Sequence, residues 1–283
     1  SGFSFSYFSA CVFFLSVNRN KRSIALDLKE AAAIKKIRAL VRKVDILVEN
    51  FRPGVMERLG LGYASLRRLN PRLIYCSVSA FHAKSRYRDR PGYDLMISGV
   101  SGLQSMIGEP GRAPLRPGVN LVDLTAGTNA MMGILLALIA RRSTGRGQKV
   151  DVSLMDGAFA VLGQLAAIYL NTGTVPKRRS PEDLHPQIVP YGTFMSADDK
   201  YLNVCLPNNK FWTAFCDGIG RPDLAARVFR GESDHERVGK RPRLAAEVAD
   251  VPDLHSDFLA RLADHGVFQC FAGLDESRKR RKP

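Results

Sequence analysis

The sequence lacks the cysteine and histidine groupings that mark most metal and disulfide sites. Its five cysteines are scattered without a C-x-x-C pair, and its five histidines stand alone. This distribution is typical of reduced thiols and predicts no metal centre. Walker, Rossmann G-x-G-x-x-G and G-x-S-x-G motifs are also absent. These absences argue against a metalloenzyme, a common nucleotide-binding enzyme and a serine hydrolase.

Two apolar stretches of the sequence are short for a membrane span. Residues 3–17 are apolar, but no basic segment precedes them, so we predict no signal peptide. The run is also short for a transmembrane helix. Residues 129–140 form a still shorter apolar stretch, which we interpret as a buried helix. We therefore expect no membrane partner.

The charge that is present is mainly of one sign. The formal net charge is +15 at pH 7, and such a surface attracts polyanions such as nucleic acids or phosphorylated small molecules. The densest basic run, at residues 278–282, is interpreted as a solvated tail. No nucleic-acid-binding motif accompanies the charge, so we expect no nucleic-acid partner.

Strand and helix patterns alternate through the first part of the chain. This alternation predicts an α/β fold with a parallel sheet. The predicted strands are residues 23–28, 45–50, 73–78 and 149–153, and the predicted helices are residues 30–42, 55–69, 128–142 and 155–171. The helix over 55–69 is expected to be interrupted near Gly60 and Gly62.

After residue 172 the pattern changes, and we predict a second, smaller α+β domain. It is expected to contain strands at 191–194 and 201–204 and helices at 211–219 and 222–229. The predicted domain division is 1–13, a separate N-terminal segment; 14–172, the large α/β domain; 173–190, a linker; 191–267, the small domain; and 268–283, a basic tail.

Asp123 is the candidate catalytic carboxylate. It lies in a turn of small residues just before a long apolar helix. A helix N-terminus carries positive partial charge and free N–H groups, which favour the charged form of a nearby carboxylate. An ionised carboxylate is a possible nucleophile. Aspartate is also among the best N-cap residues, so the pattern alone leaves both catalysis and capping open.

A second candidate region is the turn at residues 50–54, which follows a strand whose Ile46-Leu47-Val48 run predicts burial on both faces. Ligands of parallel α/β folds bind at the carboxyl ends of strands, where Arg52 is placed to meet a phosphate or carboxylate. A plain strand-to-helix turn explains the same residues, and Lys29 has the same two interpretations. The Thr144–Gly147 segment is predicted to end a helix rather than to bind phosphate.

Six ordered motifs stand out along the chain. They are residues 18–29, 48–54 followed by 58–63, 70–77, 90–94, 122–127 and 144–148. Together they resemble the family III CoA-transferases of the CaiB/BaiF type, and the resemblance extends from about residue 14 to residue 267. It implies a Rossmann-like large domain with a smaller second domain, and a homodimer of interlocked chains.

The resemblance implies an enzyme that moves CoA from an acyl-CoA thioester to a free carboxylic acid. Asp123 matches the aspartate that attacks the thioester, forms a mixed anhydride and releases the CoA thiolate. The exchange then proceeds through an aspartyl-CoA thioester. No metal or further cofactor is implied, because the coenzyme A thioester is itself the substrate.

The resemblance also implies site residues beyond the nucleophile. The positions expected to bind CoA are Lys29, Asn50, Phe51, Arg52 and Arg58. Cationic side chains among them suit the phosphates of CoA.

Tyr93 is expected to line the active site, thirty positions before Asp123. The family's racemases and epimerases carry a histidine at the position of Tyr93. Tyrosine there favours the transferase, although an acyl-CoA racemase remains the alternative within the family.

The sequence departs from the family pattern in several places, which keeps other interpretations open. The usual G-F-G turn is replaced by Ala80-Phe81-His82, and a glycine-rich loop is replaced by residues 206–209. We expect a chain truncated at both ends. An inactive fragment or a basic nucleic-acid-binding protein is therefore a competing hypothesis. The expected location is cytoplasmic, with mitochondria and peroxisomes left open.

Overall fold

The computed structural model describes residues 14–179, 184–185, 190–195, 201–206 and 208–228. The chain separates into two compact units. The first contains the residues up to Ile97 together with Asn120–Val161, and the second contains Ser98–Val119 together with the residues from Leu162 onward. The division predicted from sequence stays a prediction, because segments 1–13 and 268–283, part of the linker and much of the small domain lie outside the described residues.

The first unit contains a three-stranded parallel sheet. Its strands are β1 (Ile46–Glu49), β2 (Ile74–Ser79) and β3 (Lys149–Ser153), and β2 lies in the centre. Both strand pairs are parallel. The parallel α/β prediction is therefore confirmed, and three of the four predicted strands form within two residues of their expected bounds.

Six helices surround or follow these strands. The predicted interruption of the second helix is confirmed, because Gly60 adopts a left-handed φ of 68° between α2 and α3. The helices are α1 (Ala31–Val41), α2 (Val55–Arg58), α3 (Tyr63–Leu69), α4 (Asp94–Val100), α5 (Leu121–Thr144) and α6 (Leu154–Thr172). Helix α6 is kinked at Gly163, which has non-helical backbone angles.

The two faces of the sheet are covered differently, because side chains alternate along each strand. Tyr75 points to the face that carries the main apolar cluster, which also contains Val41, Met56, Leu61, Leu66 and Leu73. The next residue, Cys76, pairs in register with Val150. Val150 packs against α5 at Gly133, where an added Cβ would lie 2.7 Å from its Cγ1. Helix α5 therefore rests on the opposite face.

The strand predicted over residues 23–28 is wrong. Residues 21–27 have no regular secondary structure, and Ile24 is 65% exposed. A strand needs a neighbour for its backbone hydrogen bonds. Within the described residues β1 pairs only with β2, so this segment has no partner. The expectation that β1 is buried on both faces is also wrong, because Val48 is exposed.

Helix α5 is less buried than its apolar composition suggested. Ala130 and Ala137 are buried against the unit, but Met131, Leu136 and Ile139 are more than half exposed. Only the side that faces the sheet is covered. Helices α5 and α6 are each long and apolar enough to span a membrane by length and composition alone, a test that core helices of soluble proteins also pass.

The second unit contains the predicted small α+β arrangement. Strands β4 (Tyr191–Met195) and β5 (Tyr201–Cys205) pair antiparallel. They are followed by helices α7 (Asn209–Gly218) and α8 (Pro222–Val228). A short 3-10 helix, Leu103–Met106, precedes them in the chain. Buried apolar side chains from each of the four later elements include Phe194, Val204, Trp212, Phe215 and Leu224. The predicted strands and helices of this region are confirmed where the structure describes them.

Candidate active site

Asp123 lies inside the first turn of α5 rather than ahead of it. The helix begins at Leu121 after Asn120, so Asp123 is its third residue. One carboxylate oxygen of Asp94 accepts hydrogen bonds from the backbone N–H groups of Val122 at 2.9 Å and Asp123 at 3.3 Å. Asp94 therefore takes the capping role that the sequence pattern allowed for Asp123, and the capping interpretation of Asp123 is wrong.

Close packing of the preceding segment brings Asp94 to this helix end. Asp94 begins α4 and is 6% exposed. Gly92, two residues earlier, lies so close to the end of β2 that an added Cβ would be 2.8 Å from both Ala80 Cβ and Ile97 Cδ1. Only glycine fits here without displacement of those groups. The Gly92–Asp94 segment is thus held against the carboxyl end of β2, with Asp94 directed at α5.

The Asp123 side chain is exposed, and its pKa is raised above the ordinary value. The first cause is partial desolvation, and the second is the negative charge of Asp94. The sequence suggested the opposite direction, since a helix N-terminus by itself favours a charged carboxylate. That expectation is not met, because desolvation and then the charge of Asp94 raise the pKa of Asp123 instead. The Asp123 carboxylate is consequently more basic than an isolated aspartate.

Tyr93 lies beside this pair at the start of α4. Its backbone carbonyl accepts the N–H of Ile97 at 3.0 Å, and its side chain is 77% exposed. The phenol is therefore accessible, and its neighbour Asp94 contacts the turn that carries Asp123. The proposed role of Tyr93 as an active-site lining residue stays a prediction.

The predicted CoA-binding residues of the 50–58 region lie where β1 ends. The Asn50 side-chain amide donates to the Val78 carbonyl at 2.6 Å, which ties the end of β1 to β2. The Phe51 N–H donates to the Glu49 carboxylate at 2.8 Å, and the Phe51 ring is exposed. These bonds hold the turn in place and leave an aromatic surface facing outward.

Two arginines complete this group. Gly54 has a left-handed φ of 83°, and an added Cβ there would lie 3.3 Å from Arg58 Nη1. The Arg58 guanidinium therefore approaches the Gly54 turn. Arg52 lines an open cleft of about 320 Å³ together with Glu49 and Arg88. Both Arg52 and Arg58 are exposed, and neither forms an ion pair within the described ranges.

Within the described residues, no hydrogen bond or ion pair joins Lys29 to this group. It is exposed in a turn, and its backbone N–H donates to the Asp27 carboxylate at 2.9 Å. The expected strand before it does not form, so its place at the end of a strand is lost. A role in binding CoA stays a prediction for Lys29.

The β1 group and the Asp123 turn meet the same strand end. Asn50 bonds to Val78 near the end of β2, and Gly92 packs on Ala80 just beyond it. The Ala80 carbonyl also accepts the N–H of Met155 in α6 at 3.1 Å. The carboxyl ends of parallel strands are the usual ligand-binding edge of such sheets. The candidate CoA residues at the end of β1 and the candidate nucleophile therefore share one edge.

The Thr144–Gly147 segment ends α5, as predicted. Gly145 adopts the left-handed conformation with φ 69°. The Gly147 N–H donates to the Pro71 carbonyl at 2.9 Å. An added Cβ at Gly147 would collide with the Leu73 carbonyl, so this glycine permits a close backbone crossing. The glycines serve the helix end and its packing, and the segment has a structural role.

Sequence reasoning gave no role to Asp94, which the structure places against the candidate nucleophile. It forms the end of the 90–94 motif, but a contact across 29 positions has no periodic signal. The one available sign was an acidic residue within a motif that resembles the family. The burial of the Asp94 side chain and its direction toward α5, which only the structure shows, were needed to assign its contacts.

Comparisons with known proteins agree with the resemblance. The model of CoA-transferase family III matches residues 6–269. Acetyl-CoA:oxalate CoA-transferase of Acetobacter aceti is 39% identical over 236 residues, which cover 83% of this chain and 60% of that protein. Human succinyl-CoA:glutarate CoA-transferase is 36% identical over 232 residues, or 82% of this chain and 52% of that protein.

A solved structure shares the fold. The crystal structure of a CaiB/BaiF family protein from Brucella suis superimposes with a TM-score of 0.72 at 36% identity. The match covers 91% of this chain and 68% of that chain. The chain spans about 60% and 52% of the lengths of the two curated relatives. With the family model matching nearly the whole sequence, the chain belongs to the family III CoA-transferases.

Proposed function

We propose that this protein acts as a CoA-transferase, moving CoA from an acyl-CoA to a free carboxylic acid with Asp123 as the covalent nucleophile. The observation that carries the proposal is the exposed carboxylate of Asp123 at the edge of the sheet, which does not cap the helix. A capping aspartate would have its oxygens on the helix amides, whereas here Asp94 accepts those hydrogen bonds.

The reaction is a sequence of acyl exchanges in which atoms and charges balance. A carboxylate oxygen of Asp123 attacks the thioester carbonyl, the carbon–sulfur bond breaks, and CoA leaves as a thiolate. The thiolate attacks the aspartyl carbonyl of the resulting anhydride, which releases the first acid and leaves an aspartyl-CoA thioester. The incoming carboxylate then repeats these two steps in reverse and leaves as the new acyl-CoA.

The acyl group and acceptor are proposed to be small carboxylic acids of the dicarboxylic class. Relatives named for oxalate and glutarate as partner acids support this class. The exposed cations of Arg52, Arg58 and Lys29 suit the phosphates of CoA, and the exposed Phe51 ring offers an apolar contact. Tyr93 replaces the histidine of the racemases, which leaves two-base proton exchange without its second base.

A homodimer is proposed to cover the exposed apolar side of α5. Met131, Leu135, Leu136 and Ile139 are between 52% and 65% exposed. Exposed apolar patches of this kind mark interaction surfaces, and a second copy of the chain is the occupant that the family resemblance implies. Light scattering of the purified protein would report its mass. The cytoplasmic location and the absence of other cofactors stay predictions.

The experiment that tests Asp123 is the trapping of its acyl intermediate. The protein is incubated with an acyl-CoA, treated with hydroxylamine and digested, and we expect mass spectrometry to find a hydroxamate on the Asp123 peptide. Asp123→Asn should fold normally and lose both transfer and trapping, since an amide cannot form the anhydride. Asp156→Asn is the matched control, because Asp156 is also an exposed aspartate in the first turn of a helix. Full transfer by Asp123→Asn contradicts the proposal.

A further inference from the structure

Two carboxylates lie at the N-terminus of α5, but only one of them accepts hydrogen bonds from the backbone N–H groups of the helix. Asp94 is nearly buried and accepts the N–H groups of Val122 and Asp123. Asp123 is on the same turn and exposed. A helix N-terminus offers a limited set of free N–H groups within its first turn. Since Asp94 accepts two of these N–H groups, the Asp123 carboxylate does not form stabilising hydrogen bonds with them.

We propose that Asp94 is a positioning residue for the Asp123 carboxylate. Because Asp94 accepts the N–H groups in the first turn of α5, the Asp123 carboxylate is not bound to them and stays available to an acyl thioester. This inference rests on the proposed function of Asp123. Asp94 itself acts through the helix end and through its charge, because its Oδ2 atom accepts the backbone N–H groups of Val122 and Asp123.

The charge of Asp94 has a second effect on its neighbour. A like charge nearby disfavours the charged form of a carboxylate. Desolvation and then the charge of Asp94 raise the pKa of Asp123. On its other side the turn faces α6, where Gly157 approaches Thr125 and Ala126. The acid of that helix start, Asp156, is exposed.

Two substitutions separate the capping contact from the charge. Asp94→Asn keeps a side-chain oxygen that accepts the same N–H groups and removes the negative charge, since Asn and Asp are comparable caps. Asp94→Ala removes both, so the amides become available to Asp123. Asp156→Asn removes one charge from a neighbouring helix start and is the matched control.

The expected readout is the titration of Asp123 itself. In carbon-13 aspartate-labelled protein, the signal absent from Asp123→Asn identifies that carboxyl group. We expect its pKa to fall in Asp94→Asn, because a like charge is lost. It should fall further in Asp94→Ala, because the freed helix amides then favour its charged form. Asp156→Asn should titrate like the parent protein. A merely structural Asp94 would leave the titration of Asp123 in Asp94→Asn unchanged.

Activity provides a second readout. The acid limb of the pH profile of kcat should move to lower pH in Asp94→Asn, since the nucleophile must be deprotonated, while KM for the acyl-CoA stays unchanged. An unchanged Asp123 pKa in both Asp94 variants overturns this inference, whether or not the protein transfers CoA. The expected titration together with no hydroxamate on Asp123 supports this inference and contradicts the proposed function.

Discussion

Two glycines in α5 offer a matched test of how this helix is seated. An added Cβ at Gly133 would lie 2.7 Å from Val150 Cγ1 on β3, whereas nothing lies within 4 Å of an added Cβ at Gly127. Both positions lie in the middle of the same helix. Substitution of each by alanine therefore adds the same methyl group to the same helix, once against the sheet and once into open space.

The two variants should change stability in different ways. Alanine is about 1 kcal/mol more favourable than glycine in a helix interior, so Gly127→Ala should stabilise the protein by about that amount. Gly133→Ala gains the same propensity but overpacks the contact with Val150, which costs about 1–3 kcal/mol. The propensity gain cancels in the comparison. Gly133→Ala should therefore unfold at lower denaturant, with a difference of about 1–3 kcal/mol between the variants.

The assay is equilibrium urea unfolding followed by far-ultraviolet circular dichroism. Comparison at a shared slope converts the difference in midpoint into a free-energy difference. The parent protein should unfold at a lower urea concentration than Gly127→Ala. Equal stabilisation by both substitutions would refute the close seating of α5 on β3 and with it the route by which the sheet holds the Asp123 turn.

Three further predictions concern other contacts. Arg141→Ala should lower the free energy of unfolding by about 1–3 kcal/mol in urea, because the guanidinium is largely buried and bonds to a backbone carbonyl and a carboxylate; an unchanged midpoint contradicts it. Burial first, and then nearby acids, raise the pKa of Cys216 to about 12, so mass spectrometry should find alkylation of the exposed Cys205 well before Cys216 at mildly alkaline pH. Lys29→Ala and Arg58→Ala should each weaken CoA binding by about 1.5–3 kcal/mol in calorimetry, since each removes a charged partner for phosphate; unchanged affinity in both argues against the assignment.

Local sequence patterns were sufficient for most of the secondary structure. The apolar spacing of α1, the interruption at Gly60 and the strands β2 and β3 all depend on neighbours within one element, and their predictions are confirmed. Segment 23–28 shows where this ends. Its alternation suits a strand, but a strand forms only beside another strand, and the described residues supply none.

The amino-acid sequence by itself determined the α/β alternation and the motif that contains Asp123, because both are written in contiguous residues. Which carboxylate holds the end of α5 was decided by tertiary structure alone. Asp94 reaches that end only because Gly92 packs on Ala80 and directs the start of α4 toward it. Aspartates at a helix start look alike in sequence, and only a through-space contact decides which one caps the helix and which one stays exposed for chemistry.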